Sequence, residues 1–217
     1  MSKIIETDTF EDVLEYIIPS TFVFCDLDNT LMECSQYHGS IQWLEDFQKQ
    51  FFESGDSFVI SWERAHNLWI ETLPSVAMQL VDNIIPEIIQ KIAGNEKVFG
   101  LTARPPDIAT ITFSQLDQLQ IGFEQTESLN LKQGTSYDRG IIFCDRGNKK
   151  SEVLIPFLRQ IELPKRIVFI DDKLSHVQDV ESCLASLGVE FVGIHYVKSD
   201  KRFRGISAPL VESIKNR

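Results

Sequence analysis

At 217 residues the chain fits one good-sized domain, or one domain carrying a smaller inserted one. With 43% hydrophobic and 24% charged residues it can bury a real core, and its net charge of −11 is spread along the sequence instead of gathered in a tail. Such a surface repels phosphate backbones and anionic lipid, so neither nucleic acid nor a membrane is expected as the main partner.

The N-terminal stretch from Met1 to Ile18 carries Glu6, Asp8, Glu11, Asp12 and Glu15, too many acids for an export signal, and no run is long and apolar enough to suggest a membrane span. The four cysteines, Cys25, Cys34, Cys144 and Cys183, lack the close pairing of a zinc site or redox pair. Cys25 and Cys144 lie inside apolar runs, where a thiol behaves as a small hydrophobe. The expectation is a reduced, cytoplasmic protein.

In chain order, five short apolar runs read as strands: Thr21–Cys25, Lys97–Leu101, Gly140–Cys144, Arg166–Ile170 and Glu190–Val197. Each is near-continuous, the pattern of a strand buried on both faces. Helical spacing separates them, with Ile108, Ile111, Gln115 and Leu119 on one face, then Val153, Phe157 and Ile161, then Val177, Val180 and Leu184. Strand and helix in alternation predict an α/β fold, a Rossmann-like doubly wound parallel sheet with helices on both sides. One interval departs from the rhythm. Residues 36–80 show only helical pattern, with stripes Ile41, Leu44, Phe47, Phe51 and Phe58, Trp62, Ala65, Trp69, and Val76 to Ile92 reads as the helix leading back to the sheet. That is too much chain for a crossover loop. The reading is a core of 1–35 and 81–217 with a small helical cap at 36–80, part of it expected to close as a lid above Asp26.

Ligands bind such sheets at the C-terminal strand ends, so the turns there carry the chemistry. The first run leads into Asp26-Leu27-Asp28-Asn29-Thr30, two carboxylates one residue apart, for which a loop with an Asx-turn and a helix cap is the lesser alternative. The second leads into Thr102-Ala103-Arg104-Pro105-Pro106, a hydroxyl and a guanidinium before a helix start that Pro106 suits. The third leads into Asn148-Lys149-Lys150-Ser151, where lysines at a helix N-terminus oppose the macrodipole unless they serve a purpose. The fourth ends in Asp171-Asp172-Lys173, adjacent acids whose repulsion a bound dication would remove.

The order of these motifs resembles the haloacid-dehalogenase (HAD) superfamily, with Asp26/Asp28, Thr102, Lys150 and Asp171/Asp172 at its four motif positions, and looks nearest to an uncharacterised bacterial branch of it. The resemblance spans almost the whole chain outside the cap. It implies a HAD-like core and a Mg²⁺-dependent phosphatase in which Asp26 attacks phosphorus and Asp28 serves as acid and then base. It further implies that Thr102 bonds the phosphoryl oxygens and Lys150 balances charge. Mg²⁺ would lie between Asp26, the Asp28 backbone carbonyl and Asp172, with Asp171 close behind. Either Lys149 or Lys150 could fill the lysine position; the match at Lys150-Ser151-Glu152-Val153-Leu154 favours Lys150. Arg104 and Lys149 are candidate substrate contacts. Members that break carbon–halogen bonds lack an acid at the position of Asp28, so phosphate chemistry is expected.

Two other classes compete. A receiver domain combines similar residues, but its adjacent acidic pair comes early and its Lys last, the reverse of this chain. A HAD fold that has lost catalysis and only binds a partner is opposed by the intact Asp26, Asp28, Thr102, Lys150 and Asp172. The three tryptophans, Trp43, Trp62 and Trp69, read as the cap's own core. His38, His66, His176 and His195 lack metal-pair spacing and are assigned surface or second-layer roles. Lys198, Lys201, Arg202 and Arg204 form the basic patch of an acidic chain and read as a solvated loop. A small phosphate monoester is the expected substrate class; its identity and the oligomeric state are open.

Overall fold

The computed structural model describes residues 2–123, 131, 133–145, 147–199, 203 and 206. Among these, strands β1 (Ser2–Thr7), β2 (Thr21–Cys25), β5 (Lys97–Thr102), β6 (Ser136–Asp138), β7 (Ile141–Phe143), β8 (Arg166–Asp171) and β9 (Glu190–Tyr196) form a seven-stranded sheet in the order β1-β9-β8-β2-β5-β7-β6. Pairing is parallel except between β6 and β7. The remaining strands, β3 (Met32–Cys34) and β4 (Met78–Leu80), make a two-stranded sheet of their own. The helices are α1 (Ile41–Glu53), α2 (Phe58–Thr72), α3 (Ile85–Ala93), α4 (Ala109–Gln118), α5 (Lys150–Leu158) and α6 (Leu174–Leu184). The α/β class expected from the alternating pattern is the one observed.

Every residue of β2 is buried, as is β8 beyond Arg166, which is why these strands are continuous rather than alternating in hydrophobicity. Phe24 stacks on Phe99 at 5.2 Å between ring centroids, and Phe157 of α5 meets both edge-on at 6.0 and 5.4 Å. These offset and T-shaped contacts add specific geometry to the area the rings bury. In the same core cluster α6 comes so close to β9 that a methyl group on Gly193 would lie 2.3 Å from Val177 Cγ1. Glycine is there for close approach of helix and strand.

The chain divides into two compact units, one of Met1–Met32 with Leu80–Ser199 and one built on Glu33–Gln79. In the second, α1 and α2 are each started by a serine, Ser40 accepting from the Trp43 N–H and Ser57 from the Ile60 N–H. Trp43, Phe47, Phe51, Ala65 and Trp69 are buried, and the Trp69 indole donates to the Gly39 carbonyl at 2.8 Å.

Three departures from the sequence reading have physical causes. The strand β1 was not expected: half-exposed, with Lys3 and Glu6 in it, it has the mixed pattern of a sheet edge. The single helix expected over Val76–Ile92 is instead β4, a turn at Asp82 and then α3, because Pro86 suits only a helix's first turn and the backbone before it pairs with β3. Strand β4 also corrects the expectation that residues 36–80 hold helix alone. Finally, the buried face of α4 runs through Thr112, Gln115 and Leu116, with Ile111 only half-buried; the site explains why.

Candidate active site

Strand register assembles the site. Cys25 at the end of β2 pairs with Ile170 of β8 and with Gly100 of β5. The next residues out, Asp26 and Asp171, therefore emerge side by side, with Thr102 at the end of β5 on the other flank. After Asp26 the chain turns at once: Asn29 takes a left-handed conformation (φ 61°), which Asn tolerates, and the N–H groups of Thr30, Leu31 and Met32 all fold back on the Leu27 carbonyl. The Thr30 hydroxyl then ties the two acidic turns together, donating to Asp26 Oδ2 at 3.3 Å and accepting from the Asp172 N–H at 3.0 Å.

Lys150, in the first turn of α5, sends its ammonium to Asp26 Oδ1 and to Asp171 Oδ2, the latter at 2.6 Å. Its neighbour Lys149 is exposed and caps nothing with its side chain, so of the two lysines Lys150 is the one at the carboxylates. The N-terminus of α5 is instead satisfied by Asp179, which accepts from the Ser151 N–H at 3.1 Å. Burial works against the Lys150 charge, yet Asp171 and Asp26 hold its pKa above the ordinary lysine value. Burial would likewise raise Asp171, but Lys150 and His176 outweigh it and hold that carboxyl below its usual range. Asp26 differs: burial pushes it up to about 6, against the pull of Lys150 and helped by Asp171 and Asp28. Asp172 is raised too, by burial and then by Asp171 and Asp26.

Among the described residues Asp26, Asp171 and Asp172 form a cluster with ligand-capable atoms all within 4.8 Å of one another. The Lys150 ammonium bonds Asp26 and Asp171, and Asp26 and Asp172 are nevertheless pushed towards protonation. A hard dication fits that deficit, and carboxylate oxygens are the donors Mg²⁺ takes. Thiol chemistry has no footing here: burial raises Cys25 and Cys144, the latter to about 12, so neither is a thiolate at neutral pH.

Asp28 and Arg104 form a separate pair. The guanidinium donates through Nε and Nη2 to the two Asp28 oxygens, both at 2.8 Å, and through Nη1 to Thr112 at 3.0 Å and Gln115 at 2.7 Å. Only 2% of Arg104 is exposed. This guanidinium is what makes the polar Thr112 and Gln115 the buried face of α4, since a buried charge needs donors and acceptors arranged around it. Arg104, a candidate substrate contact from sequence, is thus placed on Asp28. Thr102 is buried, its hydroxyl accepting from the Arg104 N–H at 3.1 Å.

The sequence assigned no chemical role to Thr30, Thr112 or Gln115, and gave His176 and His195 only surface or second-layer roles without partners. His176 Nδ1 lies 3.1 Å from both Asp171 oxygens, and His195 Nε2 lies 3.1 Å from the Asp172 carbonyl. Thr30 was visible as the last residue of Asp26-Leu27-Asp28-Asn29-Thr30; His176 follows its partner Asp171 by five residues, a spacing that carries no metal-pair signal, and the partner of His195 on the acidic turn is a backbone carbonyl. Of the basic patch, Lys198 pairs with Asp82, while Lys201, Arg202 and Arg204 lie outside the described residues.

Residues 6–215 match the family described as "Protein of unknown function (DUF2608)". The chain belongs to that family. DUF2608 thus covers almost the whole sequence, both sides of the 33–79 unit included. Relatives named "Putative outer membrane protein" include one from Chlamydia muridarum (strain MoPn / Nigg), 22% identical over 200 residues that span 89% of this chain and 77% of the relative. Another, from Chlamydia pneumoniae, is 25% identical over 179 residues, 81% of this chain and 68% of its own length. Among the described residues no helix is long and apolar enough to cross a membrane. Among solved structures, the chain is similar to the HAD domain of effector protein Lem4 from Legionella pneumophila. For an inactive mutant the TM-score is 0.46 at 12% identity, covering 92% of this chain and 93% of that one; a second structure of the domain scores 0.45 at 12%, covering 91% and 93%.

Proposed function

We propose that this chain is a Mg²⁺-dependent phosphohydrolase of the HAD type, acting on a phosphate monoester through an aspartyl-phosphate on Asp26. The observation that carries the reading is the Lys150 ammonium bridging Asp26 and Asp171 at adjacent strand ends, with Asp172 completing the acidic cluster. Phosphoryl transfer asks for little else: an in-line nucleophile, neutralisation of the equatorial oxygens and a proton for the leaving group.

In this reading Asp26 forms the new P–O bond as the leaving oxygen departs, and water later cleaves the acyl phosphate to restore the carboxylate. Lys150 keeps Asp26 ionised and oriented despite its burial and opposes charge on the transferring group. Thr102 offers its hydroxyl to a phosphoryl oxygen. Asp26 and Asp172, with the Asp28 backbone carbonyl, would hold Mg²⁺, which when bound supplies charge stabilisation to the phosphoryl oxygens. Asp28 gives a proton to the leaving alcohol and takes one from the attacking water. Both its oxygens accept from Arg104, so the proton it carries sits on a lone pair that the guanidinium leaves free, or takes the place of one of those bonds. A cytoplasmic site of action is part of the proposal, supported by four cysteines without a disulfide.

The test is hydrolysis of an aryl phosphate by purified protein with Mg²⁺ and with chelator, alongside acid-quench trapping of phosphate on Asp26 by peptide mass analysis. Turnover that needs Mg²⁺ and a label on Asp26 support the reading. Full activity in excess chelator, or no turnover with Mg²⁺ across a panel of phosphate monoesters, overturns it.

A further inference from the structure

We infer that His195, tethered by Glu6, is a positioning residue for the metal loop: it fixes the Asp172 backbone and thereby the carboxylate offered to the cation. This rests on the Mg²⁺ reading above. Three successive strands supply the parts. In the β1–β9 register Glu6 lies opposite His195, and in the β8–β9 register His195 lies opposite Asp171, one residue before Asp172. His195 Nε2 is 3.1 Å from the Asp172 carbonyl oxygen. A carbonyl can only accept, so Nε2 donates. On the ring's other side Nδ1 is 3.0 Å from Glu6 Oε2. A simultaneous hydrogen bond to Glu6 requires a proton on Nδ1 as well, so it is the imidazolium that spans β9 from a carboxylate on the sheet edge to the backbone of the acidic turn.

The turn needs such a hold. Asp171 and Asp172 are adjacent acids aimed at a third, Asp26, and like charges at this spacing favour conformations that swing one carboxylate out to water. Asp171 is restrained by Lys150, by His176 and by the Lys173 N–H, which donates to its Oδ1 at 2.8 Å. Among the described residues the Asp172 side chain has only a long hydrogen-bond contact to Asn29 Nδ2, 3.4 Å. Its place therefore depends on its backbone, held at the N–H by the Thr30 hydroxyl and at the C=O by His195. With both ends of the residue tied, only the side-chain torsions remain to be ordered when the cation binds. Partners behind the ligands themselves typically contribute about 10–100-fold in metal affinity. Glu6 is 68% exposed at its side chain and His195 16%, so solvent screening makes Glu6 the lesser contributor.

Titration calorimetry of the full chain with MgCl2, together with its unfolding temperature without added metal, tests this. His195→Ala should bind Mg²⁺ about 10–100-fold more weakly than wild type. The affinity of His195→Gln, whose amide can still donate to the carbonyl, should lie close to wild type. Glu6→Ala should lose less than His195→Ala, and nothing further when added to it. If His195→Ala does not fold, His195→Phe takes its place, filling the space without a donor. Unaltered Mg²⁺ affinity in folded His195→Ala or His195→Phe overturns the brace alone. Equal losses for His195→Gln and His195→Ala also overturn it, because the donor would then not matter. Absence of Mg²⁺ uptake by the wild type overturns the metal reading, and the brace with it.

Discussion

A buried ammonium between two buried carboxylates is a network in which each charge is tolerated because of the others, so single replacements should be costly in different ways. Lys150→Met leaves Asp26 and Asp171 facing each other without the ammonium they share. Breaking such a buried network by removing one partner costs about 3–5 kcal/mol, which urea unfolding at neutral pH would register. Asp26→Asn keeps the size of the side chain and relieves repulsion in the acidic cluster, so it should unfold no more easily than wild type while losing turnover and the phosphorylated peptide together. Near-wild-type activity in Asp26→Asn would remove that residue as nucleophile. The Asp28–Arg104 pair supports a second contrast. Asp28→Asn should slow an alkyl phosphate far more than nitrophenyl phosphate, whose leaving group needs little protonation. Arg104→Lys cannot reproduce the two-pronged bond, and if Arg104 acts through Asp28 its losses should follow the same leaving-group order. A uniform rise in KM for both substrates would instead place Arg104 on the phosphate.

Among the elements, α6 and β9 approach each other closely at Gly193, and the sequence shows it only as a glycine inside an apolar strand. Gly193→Ala would drive a methyl group into Val177 Cγ1 and to 3.0 Å from Phe191 Cε1. Overpacking of this kind costs roughly 1–3 kcal/mol; a denaturation midpoint equal to wild type would mean that α6 can slide away freely. The same pressure bears on function, because β9 carries His195 and α6 carries His176, the two imidazoles at the acidic turn. Strand β1 shows why edge elements escape a hydrophobicity reading. Its role is backbone pairing with β9, and that pairing sets Glu6 opposite His195 with little burial of its own.

For the whole molecule, the chain leaves and re-enters the first unit through β3 and β4, and the Ser35 N–H bonds the Ala77 carbonyl at 2.9 Å. A short Gly/Ser linker from Ser35 to Ala77 therefore closes the gap without stretching the backbone. The shortened protein should fold, since β2, β5, β8, β9 and the helices α3–α6 all lie outside the excised segment. A cooperative unfolding transition by circular dichroism and Mg²⁺ uptake like that of the full chain are the expected results. Loss of folded protein would make the 33–79 unit part of the core. The substrate profile of the shortened protein would also show whether this unit acts as the lid expected from its length and aromatic content.

Local pattern determined a good deal about this protein. Continuous apolar runs specified β2, β5, β7, β8 and β9, helical spacing specified α1, α2, α5 and α6, and the strand-end turns already held Asp26, Asp28, Thr102, Lys150, Asp171 and Asp172. Tertiary structure decided which of those groups meet. Lys150 lies 124 residues from Asp26, and Arg104 lies 76 from Asp28. Their pairing depends on strand register and on which side chain of a neighbouring pair is turned inward. Lys149 and Lys150 are chemically alike, and only the start of α5 separates a solvated lysine from a buried one. The roles of Thr112, Gln115 and His176 depend in the same way on charges that folding buries beside them, and that of His195 on a backbone carbonyl that strand register sets next to it. Such polar partners follow no periodicity, because tertiary contact, and not local conformation, selects them.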